Sequence, residues 1–310
     1  MLSRTADHLY WMSRYNERTE NLARMLDAHY RLSLLPRPVE AVRRGWTATL
    51  TSLGMLETYR QRHGAVSPQA AVHFLAFDHE HRGSILASLR SARENARAVR
   101  GTMPSEVWET INATWLEARD FGRRTATPPI GEFFEWVKYR AHLTRGVIVG
   151  TMLRDEAYAF SRIGTFLERA DATTRILEAR WRELDPVEPA AAAASEWAVL
   201  LRALSAFEVY RKVYRDNVTP RQVTELLLLN ESMPRSVHRC LTDLYGHLVS
   251  VRNAQSRETE RRTGELQAQL RFGRLDELCA GGVAEFLDRC QRRLNEIADG
   301  IASDFLVPGF

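Results

Sequence analysis

Lysine is almost missing from this chain. Lys138 and Lys212 are the only two, so arginine carries nearly all of the formal net charge of +4. Arginine used uniformly in place of lysine is a compositional habit, and it weighs against a nucleic-acid groove. Cysteine is scarce as well. Cys240, Cys279 and Cys290 show no C-x-x-C spacing, which argues against a disulfide framework and for a reducing compartment. No apolar run approaches bilayer length. Met1 to Asp7 lacks the apolar core of a signal peptide, so a cytoplasmic location is expected. Alternating strand patterns with hairpin turns are also absent. There is no G-x-S-x-G and no phosphate-binding glycine loop, and Gly281-Gly282 reads as a helix terminator. His238 and Cys240, two apart, point to different faces of a helix. Neither nucleophile chemistry nor ATP activation has a local motif here, and no cofactor is expected.

What is present is helical periodicity. With 310 residues, 45% hydrophobic and 26% charged, the chain can bury a sizeable core. Leu9, Met12, Tyr15, Thr19, Leu22, Ala23, Leu26 and Tyr30 form one apolar arc, which predicts a long helix ending near Leu35 before Pro36 and Pro38. Further helices are expected from Val39 towards Arg62, from Ser84 to Arg100 and from Ser105 onward. Others are expected at residues 151–181, Trp197–Tyr214, Pro220–Leu229, Pro234–Arg262 and Val283–Ser303. Thr127-Pro128-Pro129 reads as a break. Asp185 to Pro189 is the best linker candidate. The expectation is an all-α multi-helix bundle, a single domain over 1–310 with a weak subdivision near 184–195.

One motif occurs twice. Glu17-Arg18-Thr19-Glu20 leads to Arg24 and Leu26; Glu168-Arg169-Ala170-Asp171 leads to Arg175 and Leu177 in the same register. Tyr15 and Phe166 precede the copies. The match predicts two long helices packed near each other and suggests an internal duplication. Glu20 with Arg24, and Asp171 with Arg175, stand at i, i+4 in the favoured order. The stripe lies about 140° from the apolar arc, so it is either a solvated face or a second buried one. Recurrence in register favours burial, with Arg24 and Arg175 reaching carboxylates beyond their own i−4 acids. A di-metal bundle would need Glu-x-x-His, and neither copy has that histidine. Asp78-His79-Glu80-His81 reads as a polar helix start, not a metal cluster.

Tyr10-Trp11-Met12-Ser13-Arg14-Tyr15 running into Glu17-Arg18-Thr19-Glu20-Asn21 resembles the opening of the bacterial alpha-E domain family. Similar to it also are Ala92–Arg100, Phe166–Asp171, Ser205–Arg211 followed by Pro220, and Pro234–Val237. The chain departs from the usual pattern at Ser13, Asn16 and Thr165. Members typically stand beside a circularly permuted ATP-grasp ligase and a transglutaminase-like protein. The resemblance therefore implies work on amide-linked peptides with those partners. On that reading Glu17 and Glu168 are the candidate catalytic carboxylates, with Glu17 favoured for its neighbours Tyr10, Trp11 and Tyr15. Glu20, Arg24, Asp171 and Arg175 would hold a zwitterionic peptide or amino-acid substrate, with Glu94, Asn95, Arg97 and Glu208 in a second rank. The rival reading is a scaffold subunit in which the same charges form an internal lattice.

Overall fold

Turns break the helices at matching places in the two halves of the chain, though not with the same residues. The computed structural model describes residues 1–34, 38–121, 130–182 and 190–306 (backbone alone for 190–193). Among them are fifteen α-helices and no strand. The first half holds α1 (Ser3–Ser33), α2 (Val39–Ser52), α3 (Leu56–His63), α4 (Pro68–Ala76), α5 (Ile85–Ala98), α6 (Ser105–Phe121) and α7 (Ile130–Thr151). The second holds α8 (Glu156–Arg182), α9 (Ala190–Ala203), α10 (Phe207–Tyr214), α11 (Pro220–Leu229), α12 (Val237–Ser250), α13 (Arg257–Phe272), the single turn α14 (Leu275–Leu278) and α15 (Val283–Phe305).

Each α-helix of the first half has a counterpart that starts 151–153 residues later, and α14 alone among the described α-helices of the second half is unmatched. The correspondence extends to single side chains. The buried positions of α5 are Ile85, Leu86, Ser88, Leu89, Ala92 and Ala96; those of α12 are Val237, His238, Cys240, Leu241, Leu244 and Leu248, each 152 residues on. The buried face of α7, from Phe133 to Ile148, recurs in α15 from Phe286 to Ile301. Trp46 and Tyr59 are matched by Trp197 and Tyr210, all four fully enclosed. Ser67 and Thr219 cap α4 and α11, each ahead of a proline at the first helical position. Even the strained turns agree: Gly54 and Gly64 have φ of 68° and 71°, and Ser205 and Arg215, 151 residues later, have φ of 54°.

The two long helices form the centre. Successive contacts advance together along α1 and α8. Ser13 Oγ meets Ser161 Oγ at 2.7 Å, and four residues further along α1 and eight along α8, Glu17 meets Arg169 at 2.8 Å. The helices therefore lie side by side and parallel. Gly164 permits the close approach, since a Cβ there would overlap the Tyr10 carbonyl oxygen and lie 3.1 Å from its carbon. Helices α5, α7 and α9 pack around α1; α12, α15 and α2 pack around α8. The second helix of each half thus crosses to the other half's long helix.

Several boundaries differ from the sequence reading. The helix expected from Val39 to Arg62 is two, broken at Gly54. The one expected at 197–214 starts earlier, at Ala190, and breaks at Ser205, which bulky neighbours conceal. The one expected at 234–262 splits where Asn253 Oδ1 accepts from the Gln255 and Ser256 amides, both at 2.9 Å. The helix expected at 151–181 begins at Glu156, because Asp155 Oδ1 takes the Ala157 and Tyr158 amides. Helices α4 and α7 went unpredicted. The expected break at 127–129 and the linker at 185–189 lie outside the described residues. Among the described residues no helix is long and apolar enough to cross a membrane.

Candidate functional site

The Glu-Arg dipeptides of the two motif copies pair with each other across the α1–α8 seam. Glu17 accepts from Arg169 Nε at 2.9 Å and Nη2 at 2.8 Å. Reciprocally, Glu168 accepts from Arg18 Nε at 2.6 Å and Nη2 at 3.0 Å. Each is a forked two-bond contact, the geometry for which guanidinium is best suited. The stripe is therefore largely a buried face: α1 is packed by α8, α5, α7 and α9. Glu17 is 1% exposed, Glu20 0% and Glu168 5%.

Around Glu17 and Glu20 the charge is sealed, whereas Arg24 also lines a cavity of about 490 Å³ with Asp27, Arg31, Glu135, Lys138 and Arg202. Arg235, just before the Ser236 cap of α12, donates to Glu17 at 3.2 Å, to Glu20 at 2.6 Å and to Asn21 at 2.6 Å. Arg145 of α7 donates to both Glu17 and Glu20. Arg24 donates to Glu20 at 2.8 Å, and its other bonds go to Ser205 Oγ at 2.5 Å and His142 Nε2 at 2.8 Å. Burial pushes the Glu17 carboxyl up, but Arg169, Arg235 and Arg145 outweigh it and hold it well below the carboxylate range. For Glu20 burial and Glu17 act upward, yet Arg235, Arg145 and Arg24 bring it down to about 2.

Around the second copy the charge is open. Arg14 joins Arg18 on Glu168, 2.7 Å away. Burial of Glu168 is likewise overcome by Arg14 and Arg18, which keep it ionised. Asp171 pairs with Arg175 at 2.9 Å and accepts from Gln291. A cavity of about 400 Å³ lies against these groups. Its walls include Arg14, Arg18, Asn21, Glu168, Asp171 and Arg175; Met55 and Gly83 close one side, and Asn295, Ala298 and Asp299 of α15 the other. Asn21 spends its Oδ1 on Arg235, while its buried Nδ2 has no partner. A smaller pocket of about 100 Å³, between α1, α2, α8 and α9, is mostly apolar and lies off these charges.

The structure thus parts what the sequence grouped. Glu17 and Glu20 do not line the cavity; Glu168, Asp171 and Arg175 do. Arg24 is buried as expected, with a side chain 12% exposed, but Arg175 is 40% exposed. Among the described residues their carboxylate bonds go to their own i−4 acids. The reach expected of these two falls instead to Arg145, Arg169 and Arg235. The second-rank candidates stand apart. Glu94 and Arg97 are exposed on α5, with Glu94 paired to Arg93; Asn95 bonds His8 at 2.9 Å; Glu208 is exposed on α10. Tyr10, Trp11 and Tyr15 do not line the cavity. They back the arginines instead: Tyr10 Oη accepts from Arg14, and Arg14 and Arg18 lie over Trp11 and Tyr15 at 5.1 and 5.4 Å.

Sequence reasoning missed Arg14, Arg145, Arg235 and Gly83. In sequence Pro234-Arg235-Ser236 carries only a family resemblance, since nothing local says that its arginine reaches α1. Asp78-His79-Glu80-His81 forms a turn closed by Asp78 Oδ1 on the amides of Glu80 and His81. Among the described residues no three His, Cys, Asp or Glu side chains are grouped to hold a metal. Burial pushes the Cys240 thiol up to about 12, which leaves it unreactive. Carboxylates held this low are poor proton acceptors near neutral pH. The arrangement suits holding charge in place.

No solved structure matches the chain. It is 26% identical, over 342 aligned positions covering 99% of its length, to an uncharacterized protein of Mycobacterium bovis and to one of Mycobacterium tuberculosis strain CDC 1551. An uncharacterized protein of strain H37Rv is 25% identical over the same extent. The chain spans only 37% of the length of these relatives. The Alpha-E family, described as a predicted alpha-helical domain with a conserved ER motif, matches residues 1–306. With its Glu17-Arg18 and Glu168-Arg169 pairs locked across the central seam, the chain belongs to the Alpha-E family.

Proposed function

We propose that this chain is the substrate-holding helical component of an amide-bond-forming system, working beside an ATP-grasp ligase. The ligase would supply the acyl phosphate. This chain would hold a peptide or amino acid in the cavity beside the second motif copy. The observation that carries the reading is the difference between the copies: Glu17 and Glu20 are saturated by arginine, whereas Glu168, Asp171 and Arg175 face open space of ligand size. Arginines beside acids suit a zwitterion, guanidinium to carboxylate and carboxylate to ammonium. The ligase and transglutaminase-like partners rest on the family resemblance.

This reading moves the functional weight from Glu17 to Glu168 and Asp171. In a reconstituted assay with the ligase, Glu168→Gln and Asp171→Asn should each lose most product formation at matched thermal stability. Full activity in both would leave the chain a scaffold. The sealed first copy favours that second reading, because a saturated lattice needs no chemistry to account for it.

A further inference from the structure

The sealed cluster shows what the open cavity lacks. Gly83 stands before the Ser84 cap of α5 as Arg235 stands before the Ser236 cap of α12. The two turns are built alike. Ser84 Oγ donates to the Asp78 carbonyl at 2.6 Å and Ser236 Oγ to the Asn230 carbonyl at 2.5 Å. Asp78 and Asn230 each take two turn amides on Oδ1. In register, Gly83 is therefore the counterpart of Arg235. By the shared buried faces of α7 and α15, Ala298 is the counterpart of Arg145, and Asp299 that of Gly146.

Compared with its twin, the second site has lost two guanidinium groups and gained an acid at its mouth. Arg14, in register with Thr165, returns one cation. The acceptors record the deficit. Glu17 takes two arginine bonds on each oxygen: Arg169 and Arg235 on Oε1, Arg169 and Arg145 on Oε2. Among the described residues Glu168 takes three, Arg18 on Oε1 and Arg14 with Arg18 on Oε2. The cavity lies between Gly83, Ala298 and Glu168, where the missing side chains would run.

We propose that the cavity takes an arginine side chain from a peptide, its guanidinium lying against Glu168 and Asp171 as Arg235 lies against Glu17 and Glu20. The proposal rests on the reading of the cavity as the substrate site and names the substrate class. Lysine would bring charge but not the fork that reaches two carboxylates at once.

The test is calorimetric titration of the full chain with N-acetyl-arginine methylamide and with its uncharged near-isostere N-acetyl-citrulline methylamide. The arginine compound should bind at least about tenfold tighter, the value of a charge-assisted hydrogen bond. Gly83→Arg should abolish its binding by filling the cavity from within. Gly83 has no positive φ, and a Cβ there first meets the flexible end of Met55 and then the His81 ring. Ala298→Arg provides a second plug should the first fold poorly, and circular dichroism confirms folding of both. Equal binding of the two compounds would overturn the guanidinium assignment and leave a substrate cavity of other specificity. Unchanged binding in both folded plug variants would overturn the location. No binding of either compound would overturn the inference, and titration with other peptides and amino acids then decides separately whether the cavity is a substrate site.

Discussion

Glu20 is fully enclosed and still ionised, because arginines on α1, α7 and the turn before α12 converge on it. Taking a carboxylate from water is costly unless it is paired and hydrogen-bonded, and here the pairing is complete. The folded carboxyl titrates near 2, against an ordinary 4.5. Because its folded pKa is depressed, Glu20 contributes stability above about pH 4.5, and that contribution fades as pH falls towards 2. Glu20→Gln lacks it. The gap in urea midpoint between wild type and Glu20→Gln should be full at about pH 6 and close between pH 4.5 and 2. A gap that does not change over that interval would mean Glu20 is not held ionised by its arginines.

At the scale of the element, α1 and α8 were legible because their apolar and charged positions repeat without gaps. Their mutual contact was an expectation from that repeat, and the reciprocal Glu17–Arg169 and Glu168–Arg18 forks give its physical basis. What the sequence concealed were the breaks at Ser205 and Asn253. The first is a left-handed residue with no glycine to mark it, and the second is a turn made by one amide side chain. Also hidden was which residue would face each carboxylate. Arg24 and Arg175 are nearest in sequence, but the deeper partners Arg145 and Arg235 come from helices more than a hundred residues away. The seam itself makes a prediction. Gly164→Ala would press a methyl group into the Tyr10 backbone, which cannot turn aside as a side chain can. It should cost about 1–3 kcal/mol as overpacking, read by urea denaturation. A loss no larger than that of an exposed glycine such as Gly150 would show that the helices are not in close contact there.

Over the whole molecule, two sets of seven helices follow one plan around the α1–α8 axis, joined by the exchange of α2 and α9. Only the motif-bearing helices announced this in sequence. Elsewhere the plan is kept by burial: Ser88 stands where Cys240 does, Leu86 where His238 does, and the side chains share a place but not a chemistry. Arg235 and Arg145 close one charged site, while Gly83 and Ala298 leave its counterpart open.

The most direct test of this division is to exchange the two residues that make it and measure unfolding free energies of Arg235→Gly and Gly83→Arg side by side in urea at about pH 7. Arg235→Gly removes a buried partner of Glu17, Glu20 and Asn21 and should lose about 3–5 kcal/mol. Gly83→Arg enters a cavity that already holds acids, and should stay within about 1 kcal/mol of wild type. Equal losses from the two substitutions would contradict the account, because they would mean that the place filled in one half is not open in the other.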